Sequence, residues 1–366
     1  MARLRLDDGR RRLLVVDGQV SVDDGAPVDQ ALEGAGCLTP PLLDLQGDVA
    51  GAQASSAGFG GVLPRRGASV PRPGVLVGAL TVNTEGRVIA DHGRLREAGA
   101  RVLSDGDLAH HDLDVMLGAA RWAAATALPI LARPGVTELE RGVVAASDDA
   151  TRRGLPAVLA EGEALGVHRW GAVARATGAT VHLLPLWSAA GVAALVHERG
   201  TGAALTAGTT PLHLAVEMPW EEGRGAWRSW PVVGAARDRE ALRQAVIDGH
   251  ITTLSTGSRL VADHEVQAPL VDQAPRGLLP AEAVGLAVEL FGAAKVAELM
   301  GSAPRRLLGL AGDAGASDPT VFATGVVWLE AGNDLVTHVP LGRSVRSGVR
   351  GVWGGVAGLA CPSRRR

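Results

Sequence analysis

The apolar positions of this chain form short runs that alternate with longer segments of helical periodicity. The apolar runs predict strands at 74–80, 101–103, 129–131, 180–186, 203–206 and 251–254. Helical spacing of apolar residues predicts helices between them, at 114–126, 161–177, 189–197 and 239–248. Asp238 is a residue type favoured at the N-cap, and Gly249 is typical of the position just past a helix end. We therefore expect the last helix to begin at Asp238 and to end before Gly249. Strands that alternate with helices predict a mostly parallel sheet covered by helices.

The number of strand–helix units favours a closed barrel over an open sheet. More than four units follow each other within ~260 residues, which is the usual length of a (β/α)8 barrel of the TIM type. The two ends of the chain carry short β-like runs instead, at 13–16, 321–329 and 335–339. We therefore predict an α/β protein with a small composite β domain from residues 1–40 and 305–366, and a barrel from residues 41–304.

The composition narrows the classes of function. Of 366 residues 46% are hydrophobic, which excludes a disordered chain. A formal charge of -3 argues against a protein that coats nucleic acid or an anionic membrane. Without a long apolar run or a secretory signal, the expected location is the cytoplasm. Arginine clusters at 10–12, 343–350 and 364–366 lack interleaved aromatic residues, which favours solvated surface or a rim for an acidic partner.

The residue types available for catalysis are restricted. Tyrosine is absent and Lys295 is the one lysine, whereas ten histidines leave room for a metalloenzyme. The HExxH, CxxC, Walker A and GxSxG motifs are all missing. His110 and His111 lie among four aspartates, but adjacent side chains diverge on a strand or a helix. We interpret this cluster as a solvated loop before a helix N-terminus rather than as a metal site.

Six segments follow each other in a characteristic order. They are 78–106 (GALT, EG, LREAGA, SDG), 154–161 (GLPA to Glu), 206–214 (TAGTTPLHL), 238–249 (DREALRQAVIDG), 274–282 (APRG to Glu) and 303–310 (APRRLLGL). In this order they resemble the bacterial dihydroorotases of the amidohydrolase superfamily, and the resemblance covers roughly residues 38–312. It implies a (β/α)8 barrel of the amidohydrolase kind that reversibly cyclises carbamoyl aspartate to dihydroorotate. In that family, metal ions at the strand ends polarise the amide carbonyl and activate water, and a carboxylate moves the proton.

Most positions that carry this chemistry in the family hold other residues here. The former ligand or catalytic positions are Gln46, Asp48, Asp105, Arg133, Pro185 and Gly257. The former substrate-binding positions are Ala50, Trp230 and Gly234. A divalent metal needs three or four converging ligands, and only Asp48 and Asp105 remain as strong donors, with Gln46 a poor one. We therefore predict no catalytic or metal-binding residues and no cofactor. His182 and His213 match family residues outside the metal shell, and we interpret them as buried and hydrogen-bonded.

Degenerate relatives of this kind imply a binding function. The leading hypothesis is a catalytically inactive, dihydroorotase-like protein of pyrimidine biosynthesis that serves as an assembly partner of aspartate carbamoyltransferase. Neither nucleic acid nor membrane is expected as a partner, whereas a homo-oligomer is compatible with the sequence. One polar segment contains three tryptophans, Trp220, Trp227 and Trp230. The sequence fits a lid or a subunit contact there as well as it fits core packing.

Two alternatives stay open. The first is an active but divergent cyclic amidohydrolase, rebuilt around Asp48, Asp105, Asp107, His110 or His111. The second is a ligand sensor that uses the vacated pocket, in which Arg133 and Arg259 near strand ends would hold an anion.

Overall fold

This computed structural model describes most of the chain between residues 3 and 353. The described ranges are 3–17, 19–34, 36–39, 42–46, 59–62, 76–109, 112–217, 228–259, 261, 263–266, 268–310, 326–329, 335–339, 343–346 and 349–353.

The strands come in the following order along the chain. The first nine are β1 (Arg3–Asp7), β2 (Arg12–Val16), β3 (Gln19–Val22), β4 (Gln30–Glu33), β5 (Cys37–Thr39), β6 (Leu42–Asp44), β7 (Phe59–Val62), β8 (Leu76–Gly78) and β9 (Ala100–Ser104). They are followed by β10 (Ile130–Ala132), β11 (Val144–Ala145), β12 (Ala157–Val158), β13 (Val181–Leu183), β14 (Leu205–Thr209), β15 (Ile251–Leu254), β16 (Val326–Leu329), β17 (Leu335–Val339), β18 (Arg343–Arg346) and β19 (Val349–Trp353).

The helices lie between residues 92 and 307. They are α1 (His92–Glu97), α2 (Leu113–Ala125), α3 (Asp148–Arg152), α4 (Ala160–Thr177), α5 (Ala189–Gly200), α6 (Pro211–Ala215), α7 (Ala236–Ile247), α8 (Asp263–Val266), α9 (Pro280–Val296) and α10 (Ala303–Leu307). Short 3-10 turns occur at Val82–Thr84 and Thr137–Leu139, and a π-helical turn at Ala297–Ser302 joins α9 to α10.

The centre of the molecule is a six-stranded parallel sheet in the order β15-β14-β13-β10-β9-β8. All residues of β10 and β13 are buried, as expected for a parallel sheet with cover on both faces. β6 and β7 form a separate parallel pair. The backbone N–H of Gly257 donates to the carbonyl of Gln46 at 3.1 Å, which brings the end of β15 beside the end of β6. The predicted α/β architecture with a parallel sheet is confirmed.

The helices pack closely against one another outside this sheet. Gly171 of α4 faces Glu198 of α5, and a Cβ at Gly171 would lie 2.2 Å from the Oε2 atom of Glu198. A Cβ at Gly191 of α5 would likewise lie 2.1 Å from the Oε2 atom of Glu163. The two glycines therefore allow two buried carboxylates to fit between α4 and α5.

The terminal segments form smaller sheets. One has the order β3-β2-β1-β4, and another joins β5 to β16 and β19 in antiparallel register. Thr39 pairs with Val327, so residues near the two ends of the chain meet in one sheet. The division into a composite β domain of 1–40 and 305–366 and a barrel of 41–304 stays a prediction.

The expected start of α7 was wrong. The helix begins at Ala236 with Ala235 as its N-cap, and Asp238 occupies the third helical position. Its carboxylate accepts hydrogen bonds from the backbone N–H groups of Ala235 and Ala189, both at 2.9 Å. The carboxylate thus reaches back from the third helical position to the N–H of the N-cap residue, as in a capping box, and also binds the N–H at the start of α5.

Among the described residues, no helix has both the length and the apolar character that crossing a membrane requires.

Candidate functional site

The predicted site positions converge on one end of the parallel sheet. Each described position follows a strand closely: Gln46 follows β6, Asp105 follows β9, Arg133 follows β10, Pro185 follows β13 and Gly257 follows β15. The carboxyl ends of the strands carry the chemistry in barrels of this type. Asp48, Ala50, His110 and His111 lie outside the described residues, as do Trp220 and Trp227.

Asp105 holds two strand ends together. Its Oδ1 atom accepts hydrogen bonds from the backbone N–H groups of Leu80 and Thr81, both at 2.9 Å, and its Oδ2 atom accepts one from the Thr81 hydroxyl. The residue is only 6% exposed. This carboxylate was one of the remaining candidate metal donors. It anchors the loop after β8 to the end of β9.

Asp44 likewise joins two strand ends, those of β6 and β15, through hydrogen bonds to its carboxylate. Its Oδ1 atom accepts the backbone N–H of Thr256 at 3.0 Å, and its Oδ2 atom accepts the Thr256 hydroxyl. The N–H of Gln46 also donates to Oδ1, at 3.2 Å. A buried carboxylate is stable only with such donors, so Asp44 and Thr256 form one structural unit.

Asp107 lies at the centre of a network built by two arginines and a glutamine. Its carboxylate accepts from the guanidinium of Arg259 and, at 3.2 Å, from Nε2 of Gln46. The Nε atom of Arg133 donates to the backbone carbonyl of Asp107 at 2.7 Å. Arg133 and Arg259 were candidates for an anion site. The structure instead places them against carboxylates and a carbonyl of this chain.

Arg133 also forms a buried ion pair. Its Nη1 atom lies 2.7 Å from Oε2 of Glu140, with side-chain exposures of 6% and 3%. Burial raises the pKa of Glu140, and the neighbouring guanidinium opposes that rise. The guanidinium carbon lies 5.2 Å from the ring centre of Trp230, which is within cation–π range. Trp230, at a former substrate-binding position, therefore packs on the residue that occupies a former ligand position.

The remaining positions offer no functional side chains. Gly257 has a φ of 63°, a left-handed conformation that favours glycine. Pro185 has no side-chain donor or acceptor. A Cβ at Gly234 would lie 2.6 Å from the Cβ of Asp238, so the backbone of the loop before α7 packs directly on that carboxylate.

The two retained histidines are buried and hydrogen-bonded, which confirms their interpretation. Nδ1 of His182 lies 2.7 Å from the Thr206 hydroxyl, and Nε2 lies 2.9 Å from the Thr253 hydroxyl. Burial lowers the pKa of His182 to about 3, so its imidazole is neutral at physiological pH. His213 lies with Nδ1 2.7 Å from the Thr210 hydroxyl and Nε2 3.2 Å from the carbonyl of Pro231.

Three buried polar atoms at this end of the sheet stand out. Oε1 of Gln46, Oγ of Ser255 and Oγ of Ser258 have no hydrogen-bond partner within the described part of the chain. Gln46 is 6% exposed and the two serines are fully buried. Buried polar atoms usually have partners, so these three are the atoms of the site with capacity for a further group.

The described residues do not fit the metal site that this fold carries elsewhere. Within the described ranges, no group of three or more His, Cys, Asp and Glu side chains could hold a metal ion. Asp44 and Asp105 are engaged by backbone N–H and hydroxyl donors, and Asp107 by arginine and glutamine. We therefore derive no metal-assisted step, and the predicted absence of a metal site stays a prediction because Asp48 is not described.

Comparison with known proteins gives one curated relative and many similar structures. The dihydroorotase of Thermus aquaticus is 26% identical over 346 residues, covering 81% of this chain and 81% of that protein. The chain is therefore similar to a dihydroorotase over most of its length. No protein-family model matches this dihydroorotase-like chain.

Solved structures agree on the fold. The L-hydantoinase (dihydropyrimidinase) from Arthrobacter aurescens superimposes with a TM-score of 0.75 at 15% identity, covering 99% of this chain and 98% of that one. The dihydropyrimidinase from Brevibacillus agri NCHU1002 gives a TM-score of 0.69 at 12% identity, with coverages of 96% and 92%. The predicted TIM-type barrel fold is confirmed by these similar structures.

Proposed function

We propose that this dihydroorotase-like chain is catalytically inactive and works as an assembly partner of aspartate carbamoyltransferase. The supporting observation is the network at the strand ends. Arg133, Arg259 and Gln46 occupy this region and bind Asp107 and Glu140, where a hydrolytic site needs free carboxylates and imidazoles. A barrel that keeps its fold after its catalytic residues are replaced still offers a surface that other proteins can bind.

The test combines chemistry with assembly. The purified chain, prepared without chelator, is expected to contain far less than one equivalent of zinc and to leave dihydroorotate unhydrolysed. Co-expression with aspartate carbamoyltransferase followed by size-exclusion chromatography is expected to give one shared peak. Two separate peaks with unaltered transcarbamoylase activity contradict the assembly function. About two equivalents of zinc with dihydroorotate hydrolysis would instead favour the divergent amidohydrolase.

A ligand-sensing function is the second candidate, favoured by the unpartnered atoms of Gln46, Ser255 and Ser258. These atoms offer hydroxyl groups and an acceptor oxygen, whereas both arginines already contact carboxylates. These atoms therefore suit the neutral amide groups of a ligand, whereas the arginines are not free to bind its anionic groups. Thermal shift with carbamoyl aspartate, dihydroorotate and UTP tests this function, and no shift with any of them counts against it.

A further inference from the structure

The opposite end of the barrel, where the strands begin, carries a different set of residues. Five helices end there, because each of α1, α2, α4, α5 and α7 leads through a short turn into the start of the next strand. We call these turns, with the last helical turn before each, the strand-start face. It consists of residues 94–101, 121–129, 174–180, 196–204 and 244–250.

Three neighbouring turns of the strand-start face contact each other. Arg175 at the end of α4 donates to the Thr201 hydroxyl after α5 at 2.9 Å. Arg199 at the end of α5 lies 3.5 Å from the His250 ring after α7. The rings of His168 and His197 are also in edge contact, with centroids 5.8 Å apart. The turns after α4, α5 and α7 therefore touch through polar side chains.

This face is basic although the chain as a whole is acidic. Its exposed arginines are Arg94, Arg96, Arg101, Arg121, Arg175 and Arg199. Against them stand the exposed Glu97 and Asp248 and the buried Glu198, which already binds Arg175 and His168. The formal charge of the whole chain is -3, so the rest of the molecule is more negative than this face.

Large apolar side chains are exposed among these arginines. Trp122 is 58% exposed, Ile247 67% and Val196 40%. Arginine at helix C-termini is explained by the helix dipole alone, but an exposed tryptophan beside it is not. Tryptophan and arginine are the residue types that dominate the binding energy of protein interfaces.

We propose that the strand-start face is the protein-docking surface of this chain, and that it fits an acidic protein surface with an apolar depression for Trp122. The inference rests on the proposed function in that the partner is a protein. It adds which surface binds and what chemistry the partner presents. Exposed apolar groups among the arginines favour a protein over nucleic acid, which would be met by basic residues with polar surroundings.

The test uses two variants of the full chain with the same change in charge. The first is Arg121→Glu/Trp122→Ala/Arg199→Glu on the strand-start face. The control is Arg152→Glu/Arg153→Glu at the end of α3 and in its C-cap. Both residues lie in the connection that leaves the end of β10 and reaches α4, hence at the opposite end. The control arginines have side-chain exposures of 71% and 47%.

The first readout is the Kd for aspartate carbamoyltransferase by isothermal titration calorimetry. We expect the wild type and the control to bind equally, and the strand-start variant to bind at least tenfold more weakly. Equal Kd values for all three proteins would overturn this surface and leave the proposed function standing.

A second readout separates the two proposals if the wild type does not bind that enzyme at all. Retention on immobilised poly-L-glutamate at low salt is expected for the wild type and the control but not for the strand-start variant. Equal retention of all three overturns the inference. Tighter binding to duplex DNA than to poly-L-glutamate, or self-association in sedimentation that only the strand-start variant loses, also overturns it.

Discussion

The two ends of the barrel differ in the burial of their charged residues. At the strand ends, Arg133 and Glu140 are buried and contact each other within the chain. At the strand-start face, Arg121 and Arg199 are exposed next to Trp122. In enzymes of this fold the strand ends are the open, reactive end. Here the described residues of that end contact each other within the chain, and exposed arginine and tryptophan side chains lie at the other end.

The difference shows how one scaffold can separate stability from interaction. A buried ion pair needs its partner, because an unpaired charge in the interior is costly. An exposed arginine adds little to stability and remains available to a second protein. Substitutions at the strand ends should therefore affect folding, and substitutions at the strand-start face should affect binding.

The largest effect is expected from breaking the buried pair. Arg133→Met leaves Glu140 buried without its cation, so the free energy of unfolding should fall by about 3–5 kcal/mol. Urea unfolding followed by circular dichroism measures this loss. The exposed Arg152→Met is the control, with a change below about 0.5 kcal/mol. Similar values for the two variants would remove the contrast between the two ends.

A smaller loss is expected where β6 meets β15. Thr256→Val removes the hydroxyl that donates to the buried carboxylate of Asp44, which should cost about 2–3 kcal/mol of unfolding free energy. Thr252→Val on β15, four residues before Thr256, is the control. Its hydroxyl donates to the carbonyl of Ala207 at 3.3 Å, and about 0.5–1 kcal/mol is expected there. If both variants lose the same amount, Asp44 does not depend on Thr256.

The barrel interior predicts a pH dependence of stability. The pKa of His182 is about 3 in the folded chain and about 6.5 when exposed. Between these values the unfolded chain binds a proton that the folded chain does not, so stability falls as the pH falls below 6.5. From pH 6.5 to 5 the loss should reach about 2 kcal/mol. Urea unfolding of His182→Gln should lack this part of the slope, and an unchanged slope would contradict the neutral, buried imidazole.

The smallest effect on stability sharpens the comparison. Trp122→Ala should change the free energy of unfolding by less than about 0.5 kcal/mol, because most of the side chain is already in water. Thermal unfolding beside the wild type measures it. A loss above 1 kcal/mol would mean that Trp122 packs against the barrel and is not held ready for a partner.

Periodicity predicted four of the ten described helices, namely α2, α4, α5 and α7. The predicted helix at 161–177 is observed at Ala160–Thr177, because its apolar positions recur with helical spacing. Pro280–Val296 was not predicted. Its residues from Glu282 to Val288 are all buried, so no polar face marks it as a helix.

The site could be predicted only in part. The resemblance located Gln46, Arg133 and Gly257 at strand ends, because each follows an apolar run. It could not show what they contact. Arg259 binds Asp107, which lies 152 residues earlier in the chain, and no local pattern signals such a pair. The strand-start face could not be predicted from the sequence for the same reason, because five separate turns contribute to it.

Lys295 has a practical consequence for anyone who maps the partners of this chain. It is the one lysine of the sequence. It lies in the last turn of α9, and its Nζ atom is 2.9 Å from Oε2 of Glu298 in the π-helical turn that follows. Amine-reactive cross-linkers therefore have a single side chain to modify, and a negative result with them says nothing about binding. The same scarcity makes Lys295 the one side-chain amine for a fluorophore, so that, once the α-amino group is blocked, distances to a labelled partner can be measured without engineering the chain.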